Sequence, residues 1–513
     1  MLPYVTHYTH KPTPESLDGF IVKINPLGEV LWGTYFGGDG EDFIESIAID
    51  QEDNVLVMGF TNSLNGIADA SSYQPQNAGS LDSFLAKFNP DGIKIWSTYF
   101  GGSSNESGYE VLHQFGYTSS GLAVDGSGNL YLFMGTYSGG LTTPNSFQPV
   151  KTNNNSIFAK FNQQGMLEWS SYYGINSSFI SAIAINGTGV YLAGDSNDLP
   201  NAISTYFATP GCHQQPASHR DAFLSKFDFN GQRIWSTYYG ASTGIEVLDG
   251  FNLKTFGNSI YLSGSSAGNN NIATPGAFQE NRNGGLTSFL AKFNENGVRE
   301  WGTYCGLDSG NDGYSFTNTG IDHEGNVYLT GSTSYIRNIG TAGSYQPELA
   351  SARDGFVVKF NAAGERIWGT YYGGEQQEFS AQLLAFADGF YIVGTTKSSN
   401  GMSTENSLQP LPVFNQYQES TFIARFKESL LGVNDMQGST VAIYPNPAKG
   451  YFQLKVSEKN CDIVVYNALG QEVLKRGVVD GELVDVSGLV TGIYYVMVSS
   501  LGIDKDMEKL VVQ

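Results

Sequence analysis

The residues of this 513-residue chain that could do chemistry are six histidines, three cysteines and a recurring set of acids. His7, His10, His113, His213, His219 and His323 form no HExxH pair that would hold a catalytic zinc. No GxSxG elbow supplies a serine for one of them to activate. His213 and His219 share the loop GCHQQPASHR with Cys212, a donor set compatible with a small metal site; the expectation is a polar insertion. Cys212, Cys305 and Cys461 are far apart and odd in number, with no CxxC pair, so they read as small packing residues rather than a disulfide framework or a zinc site.

The acids recur in the phrases GGDGEDF, GGSSNES, GASTGIEV, GLDSGNDG and GGEQQEF. Glu41, Asp42, Glu106, Glu246, Asp312 and Glu378 would form an acidic ring if their loops met at one mouth. Such carboxylates suit Ca²⁺ or a cationic ligand, because a hard cation collects oxygen ligands. The alternative is that each caps turn N–H groups locally. It is the preferred reading, since the third copy, GINSSF, has no acid. Asp50, Asp125 and Asp322 read as turn formers, because the later Glu of a calcium loop is missing. No cofactor is required by any of these patterns.

The elements that must position these acids are legible from the tryptophans. Trp32, Trp96, Trp169, Trp235, Trp301 and Trp368 lie 64, 73, 66, 66 and 67 residues apart, and each opens a phrase such as WSTYFGG or WGTYYGG. About twelve residues before each comes a phrase such as DSFLAKFN or DGFVVKFN; after each comes one such as IAIDQEDNVLVMGFT or TGIDHEGNVYLTGST. These alternate at period two and are joined by Gly/Asn turns, so they read as strands. One unit then holds four strands, here called A (IAID), B (VYLTG), C (FLAKF) and D (WSTYFGG). Four-stranded units of this length bury their faces only by stacking on one another around a ring, which is a β-propeller. The six tryptophans are then structural, packed between neighbouring sheets. The phrases between B and C, such as SSYQP, NSFQP and GSYQP, read as scaffold whose variable neighbours would carry specificity.

The phrases W-[GS]-T-Y-[FY]-G-G and D-x-F-[LV]-[AV]-K-F-N resemble the SBBP-type β-propeller repeat, over roughly residues 2–427. The resemblance implies a fold and no chemistry. Seven C strands can be counted, which favours seven blades, with six as the alternative. On that count the first blade lacks its beginning. The segment LPYVTHYTHKPTPES shows no signal-peptide pattern, so the chain reads as lacking an export signal that preceded it.

After Lys427 the repeat stops, and the expected division is a propeller over 1–430, a linker over 431–439 and a small β-sandwich, Ig-like, over 440–513. The phrases YPNP (Tyr444, Pro445, Asn446, Pro447), VYNALGQEV with Gly470, DVSGLVTGIY with Asp485 and Gly492, and KLVV with Lys509 resemble the type A sorting domain of type IX secretion in Bacteroidetes. That resemblance implies the secretion machinery as a partner of residues 440–513, and an address outside the cell or on the outer-membrane surface.

Composition agrees with an all-β exported protein. Glycine is 63 of 513 residues, aromatics are 13% and charged residues only 15%. The net charge of −22 repels phosphate backbones and argues against nucleic acid as a partner. No apolar run is long enough for a transmembrane helix. The expected function is a non-catalytic binding or adhesion module for an extracellular glycan or protein. A secreted polysaccharide-acting enzyme and a structural surface-layer protein are the alternatives.

Overall fold

A computed structural model describes residues 11, 13–14, 16–106, 120–152, 155–175, 178–197, 205–216, 220–241, 246–247, 253–282, 287–306, 317–334, 339–404, 407–414, 419–427, 441–456, 460–467, 471–479, 481–500 and 503–512. The chain divides into two units, Met1–Glu428 and Ser429–Gln513. Every regular element among the described residues is a β-strand.

Among its described residues the first unit contains seven antiparallel sheets, numbered I to VII in chain order. Sheet I pairs β1 (Gly19–Ile24) with β2 (Val30–Phe36). Sheet II holds β3 (Asp42–Ile49), β4 (Val55–Thr61), β5 (Asp82–Phe88) and β6 (Lys94–Phe100) in that order. Sheet III repeats it with β7 (Ser120–Val124), β8 (Leu130–Thr136), β9 (Asn155–Phe161) and β10 (Leu167–Tyr173), and sheet IV with β11 (Phe179–Asn186), β12 (Gly189–Asn197), β13 (Arg220–Phe227) and β14 (Arg233–Tyr239). In sheet V the A position is split into β15 (Glu246–Val247) and β16 (Leu253–Phe256), both pairing β17 (Ser259–Ser266), followed by β18 (Thr287–Phe293) and β19 (Arg299–Cys305). Sheet VI holds β20 (Asn318–Ile321), β21 (Val327–Thr333), β22 (Asp354–Phe360) and β23 (Arg366–Tyr372). Sheet VII holds β24 (Glu378–Phe386), β25 (Gly389–Thr396) and β26 (Ser420–Lys427).

The C strands explain why the sheets must stack. In β5, Phe84, Ala86 and Phe88 share a core with Trp32 and Phe36 of sheet I, while Leu85 packs with Leu132 and Met134 of sheet III. A strand apolar on both faces has no solvent side, so it needs a neighbour on each. The same pairing recurs at every seam from I/II to VI/VII, each with its own buried cluster.

Polar contacts then set the seams. The indole N–H of Trp32 donates to Pro90 O at 3.0 Å, Trp96 to Gln163 O at 2.9 Å, Trp169 to Phe229 O at 3.1 Å, Trp235 to Glu295 O at 2.9 Å and Trp301 to Ala362 O at 3.1 Å. Each acceptor lies in the C–D turn of the next sheet. The turn glycine beneath the ring is dictated twice over. Gly165 has φ +75°, which disfavours a side chain, and a methyl there would stand 2.7 Å from Trp96 Cε3. Lys23 of sheet I also reaches the turn of sheet II, at Pro90 O (2.9 Å). Arg425 of sheet VII reaches the corresponding turn of sheet I, at Pro26 O (2.8 Å). Sheet VII therefore meets sheet I by the contact that links consecutive sheets, and seven blades form the ring.

The second unit has two sheets. One is β27 (Val441–Tyr444), β28 (Tyr451–Val456) and β31 (Leu483–Asp485); the other is β30 (Glu472–Val479), β29 (Asn460–Asn467), β32 (Gly492–Ser500) and β33 (Ile503–Val512). Phe452, Leu454 and Val484 from the first and Ile463, Val465, Val496 and Leu510 from the second share one core.

Candidate functional site

Antiparallel order puts the D–A and B–C loops at one end of every sheet, the loop end, and the A–B hairpins and C–D turns at the other, the turn end. The recurring acids divide between these ends and meet different fates.

At the loop end, Asp42, Glu106 and Glu378 are buried. Asp42 accepts Gly38 N at 2.7 Å and Ser63 Oγ at 2.9 Å. Glu106 accepts Gly102 N and Thr136 Oγ1, both at 3.1 Å. Glu378 accepts Gly374 N at 2.9 Å and Thr396 Oγ1 at 2.8 Å, with Ser398 Oγ also donating. Each acid thus ties the end of one sheet's D strand to the end of the next sheet's B strand. The three are held in separate seams rather than gathered at one mouth, each bonded to the Gly-Gly turn after strand D and to the Thr-x-Ser after strand B.

Each has a companion acid that the sequence reading did not pair with it: Asp18 with Asp42, Asp82 with Glu106, and Asp354 with Glu378. The members of a pair are 24 positions apart in the sequence. Asp82 and Asp354 are fully buried at the start of their C strands. Asp82 Oδ2 accepts Gln74 Nε2 at 2.9 Å and Ala78 N at 2.8 Å; Asp354 Oδ2 accepts Gln346 Nε2 and Ala350 N, both at 2.7 Å. Gln74 and Gln346 are the glutamines of the recurring B–C phrases, and each also accepts the N–H of the first glycine after strand D. Burial pushes Asp42, Asp82 and Glu378 above the ordinary carboxylate range despite their hydrogen bonds. It pushes Glu106 up to about 7, with the nearby Asp82 charge adding to the effect.

Of the remaining residues of the expected ring, only Glu41 has a described side chain. Glu41 is exposed, and its backbone N–H donates to Asn62 Oδ1 at 2.7 Å. Glu246 opens β15, opposite Ser266, and Asp312 lies outside the described residues.

At the turn end, Asp50 and Asp322 also close their own hairpins, as expected. Asp50 Oδ1 accepts Asn54 N at 2.9 Å, and Lys87 Nζ stands 2.8 Å from its Oδ2. Asp322 does the same with Asn326 N (2.9 Å) and Lys359 Nζ (3.2 Å). Burial alone would raise these two carboxyls, but the asparagines, the backbone N–H groups and the lysines outweigh it and hold both low. In these two sheets the lysine of the C strand, Lys87 or Lys359, is the counter-ion.

His213 fills the aromatic position of its B–C phrase and packs edge-on against Phe293 at 5.7 Å, as Phe147 does against Phe227 at 5.8 Å. Burial, with the Arg299 charge adding, pushes its imidazole down to about 4. Cys212 Sγ is directed at Gln214 O (3.3 Å), and His219 lies outside the described residues. Among the described residues no group of three or more His, Cys, Asp or Glu is placed to share an ion.

In the second unit, Tyr444–Pro447 and the last strand belong together. Asn446 Oδ1 accepts Val511 N at 2.9 Å, and Ala448 N donates to Val511 O at 2.7 Å. Asp485 Oδ1 accepts Ser487 N at 2.8 Å, and Tyr494 OH donates to Val490 O at 2.8 Å, so the DVSGLVTGIY phrase is a self-bonded turn entering β32 at Gly492. Lys509 lies in β33 opposite Tyr495, and Gly470 lies outside the described residues.

Comparison with known proteins matches residues 31–67 to a beta-propeller repeat family and residues 442–513 to a secretion system C-terminal sorting domain. A WD repeat-containing protein of Acanthamoeba polyphaga mimivirus is 26% identical over 260 residues, 42% of this chain and 18% of that protein, so the chain spans less than a fifth of its length. Similar solved structures include an ulvan lyase (13% identity, 86% of this chain and 93% of that one, TM-score 0.37). Another is a protein from Dyadobacter fermentans (10% identity, 72% and 94%, TM-score 0.35). The surface component PorZ of the Porphyromonas gingivalis type IX system also matches (10% identity, 97% and 74%, TM-score 0.25). No helix among the described residues is long and apolar enough to cross a membrane. The chain carries an SBBP β-propeller repeat in its first unit and a type IX sorting domain in its second, and is therefore a β-propeller protein exported to the cell surface or beyond.

Proposed function

We propose that this protein is a non-catalytic binding or adhesion module, displaying the B–C loops of its propeller to an extracellular glycan or protein. The observation that carries this reading is the fate of the acids. Those that recur like a catalytic or calcium set spend their hydrogen-bonding capacity on the seams between blades. Outside their recurring phrases the B–C loops, by contrast, differ from blade to blade and expose apolar side chains: Leu64, Val150 and Leu411 are each about two-thirds exposed. Loops on a rigid scaffold are where specificity is carried. The sorting domain supports the address and makes the type IX machinery its partner in export.

The test is to present the purified chain to immobilised glycans and extracellular proteins, with Ca²⁺ and with a chelator. Saturable binding that weakens on Leu411→Ser or Leu64→Ser supports the reading. Release of new reducing ends from a polysaccharide would replace it with an enzyme, and loss of binding on chelation would add a calcium requirement.

A further inference from the structure

Asp82 and Glu106 come from opposite sides of the seam between sheets II and III, are fully buried, and lie within hydrogen-bonding reach of each other. Both press on Gly101, where a methyl group would stand 2.6 Å from Asp82 Oδ1 and 2.7 Å from Glu106 Oε2. At seam VI/VII, Gly373 stands in the same relation to Asp354 Oδ1 and Glu378 Oε2, at 2.6 and 2.7 Å. Two ionised carboxylates so placed repel, and each has also lost its water. The donors that reach them do not remove this conflict. Gly102, Thr136 and Ser138 serve Glu106, and Gln74 and Ala78 serve Asp82 Oδ2, but buried Asp82 Oδ1 has no donor.

Among the described residues, the other titratable groups that act on Asp82, Glu106 and Glu378 are phenols. Tyr99 faces Asp82, Tyr172 faces Glu106 and Tyr372 faces Glu378, and burial pushes all three phenols up. Arg353, next to Asp354, lays its guanidinium over the Phe379 ring at 5.3 Å.

Seam I/II supplies the contrast. Asp18 and Asp42 hold the corresponding positions there, but Lys11 Nζ stands 2.7 Å from Asp18 Oδ2 and donates to Gly37 O at 3.1 Å. Among the described residues no lysine or arginine stands so beside Asp82.

We propose that a single proton, shared between Asp82 Oδ1 and Glu106, does at seam II/III what the Lys11 ammonium does at seam I/II, and that the ring loosens there when rising pH sends this proton to solvent. The direction follows from linkage: a carboxyl raised in the folded state binds more protons than in the unfolded chain, so its contribution is full at acid pH and is lost as pH rises through the folded value. For Glu106 that window runs from the ordinary 4.5 to about 7.

The experiment follows unfolding of the full chain from pH 5 to 8.5 for the wild type and Glu106→Gln. The wild-type folding equilibrium is expected to fall by up to about a hundredfold across that range. Glu106→Gln should flatten the slope and exceed the wild type at pH 8; equal slopes would overturn the proposal. A second readout does not depend on a variant folding: the infrared carbonyl band of a buried carboxylic acid should be present in the wild type at pH 6 and gone at pH 8.5. Its absence at pH 6 overturns the proposal. So does a chelator that destabilises the wild type and spares Glu106→Gln, since a metal ion would then hold the pair. Lys11→Met should create a further protonated carboxyl at seam I/II.

Discussion

In the second blade the two ends hold buried acids whose partners move them in opposite directions. At the turn end, Asp50 faces Lys87 at 2.8 Å and is held ionised; at the loop end, Asp82 faces Glu106, and burial raises both. Burial is severe at both ends, so the difference lies in the partner that the chain brings. The C strand supplies a lysine near its turn-end terminus and an aspartate at its loop-end terminus. Register places the first beside an acid of the A–B hairpin in the same blade and the second beside an acid that leads into the next blade. A buried carboxylate is therefore not a site by virtue of being buried; its neighbours decide whether it serves as counter-ion, latch or ligand.

The largest effect expected from breaking this comparison is at the turn end. Asp50→Ala leaves the buried Lys87 ammonium without its carboxylate, which costs about 3 kcal/mol where one member of a buried pair is removed. Denaturant unfolding at pH 7 measures it. A loss under about 1 kcal/mol would mean that water reaches Lys87 and that the two ends are less distinct than drawn.

Much of this organisation was legible in the residues. The tryptophan phrases gave the blades by their spacing, and Trp96, Trp169, Trp235 and Trp301 each lie over the turn glycine of the next sheet, Gly165, Gly231, Gly297 and Gly364. The seven-blade count rested on C strands alone, and Arg425 meeting Pro26 closes it. What escaped was the pairing of acids. Asp82 belongs to a C phrase and Glu106 to a D–A phrase, and only the stacking of sheets makes a 24-residue spacing a contact. Lys11 was equally hidden, since it lies outside any repeat phrase. His213 was read with Cys212 and His219 as part of a polar insertion, whereas its alignment with Phe147 in the B–C phrase was the signal that it is a plug.

That plug predicts the next effect in size, with a pH slope opposite to that of Glu106. His213 is neutral in the folded chain, so its stabilising contribution is present above its ordinary 6.5 and is lost as pH falls toward about 4. His213→Phe should remove that acid sensitivity, worth about 1–2 kcal/mol at pH 4.5 once partial solvent screening is allowed for. Thermal unfolding at pH 7 and 4.5 tests it. An unchanged difference between the two pH values would place the acid sensitivity in Asp50 and Asp322 instead.

The smallest effect should be the most uniform. Trp235 ties sheet IV to sheet V through a neutral hydrogen bond, from its indole N–H to Glu295 O at 2.9 Å. Trp235→Phe keeps an aromatic ring over Gly297 and removes only the donor, so it should cost about 1 kcal/mol, the net worth of such a bond. Neither partner titrates, so the loss should be the same at pH 5, 7 and 8.5. Set beside Glu106→Gln, whose effect should change sign over that range, a flat profile would separate the two kinds of seam contact. A Trp235→Phe penalty that grew with pH would mean that the seams are coupled around the ring, so that loosening one at its acid pair loads the next at its tryptophan.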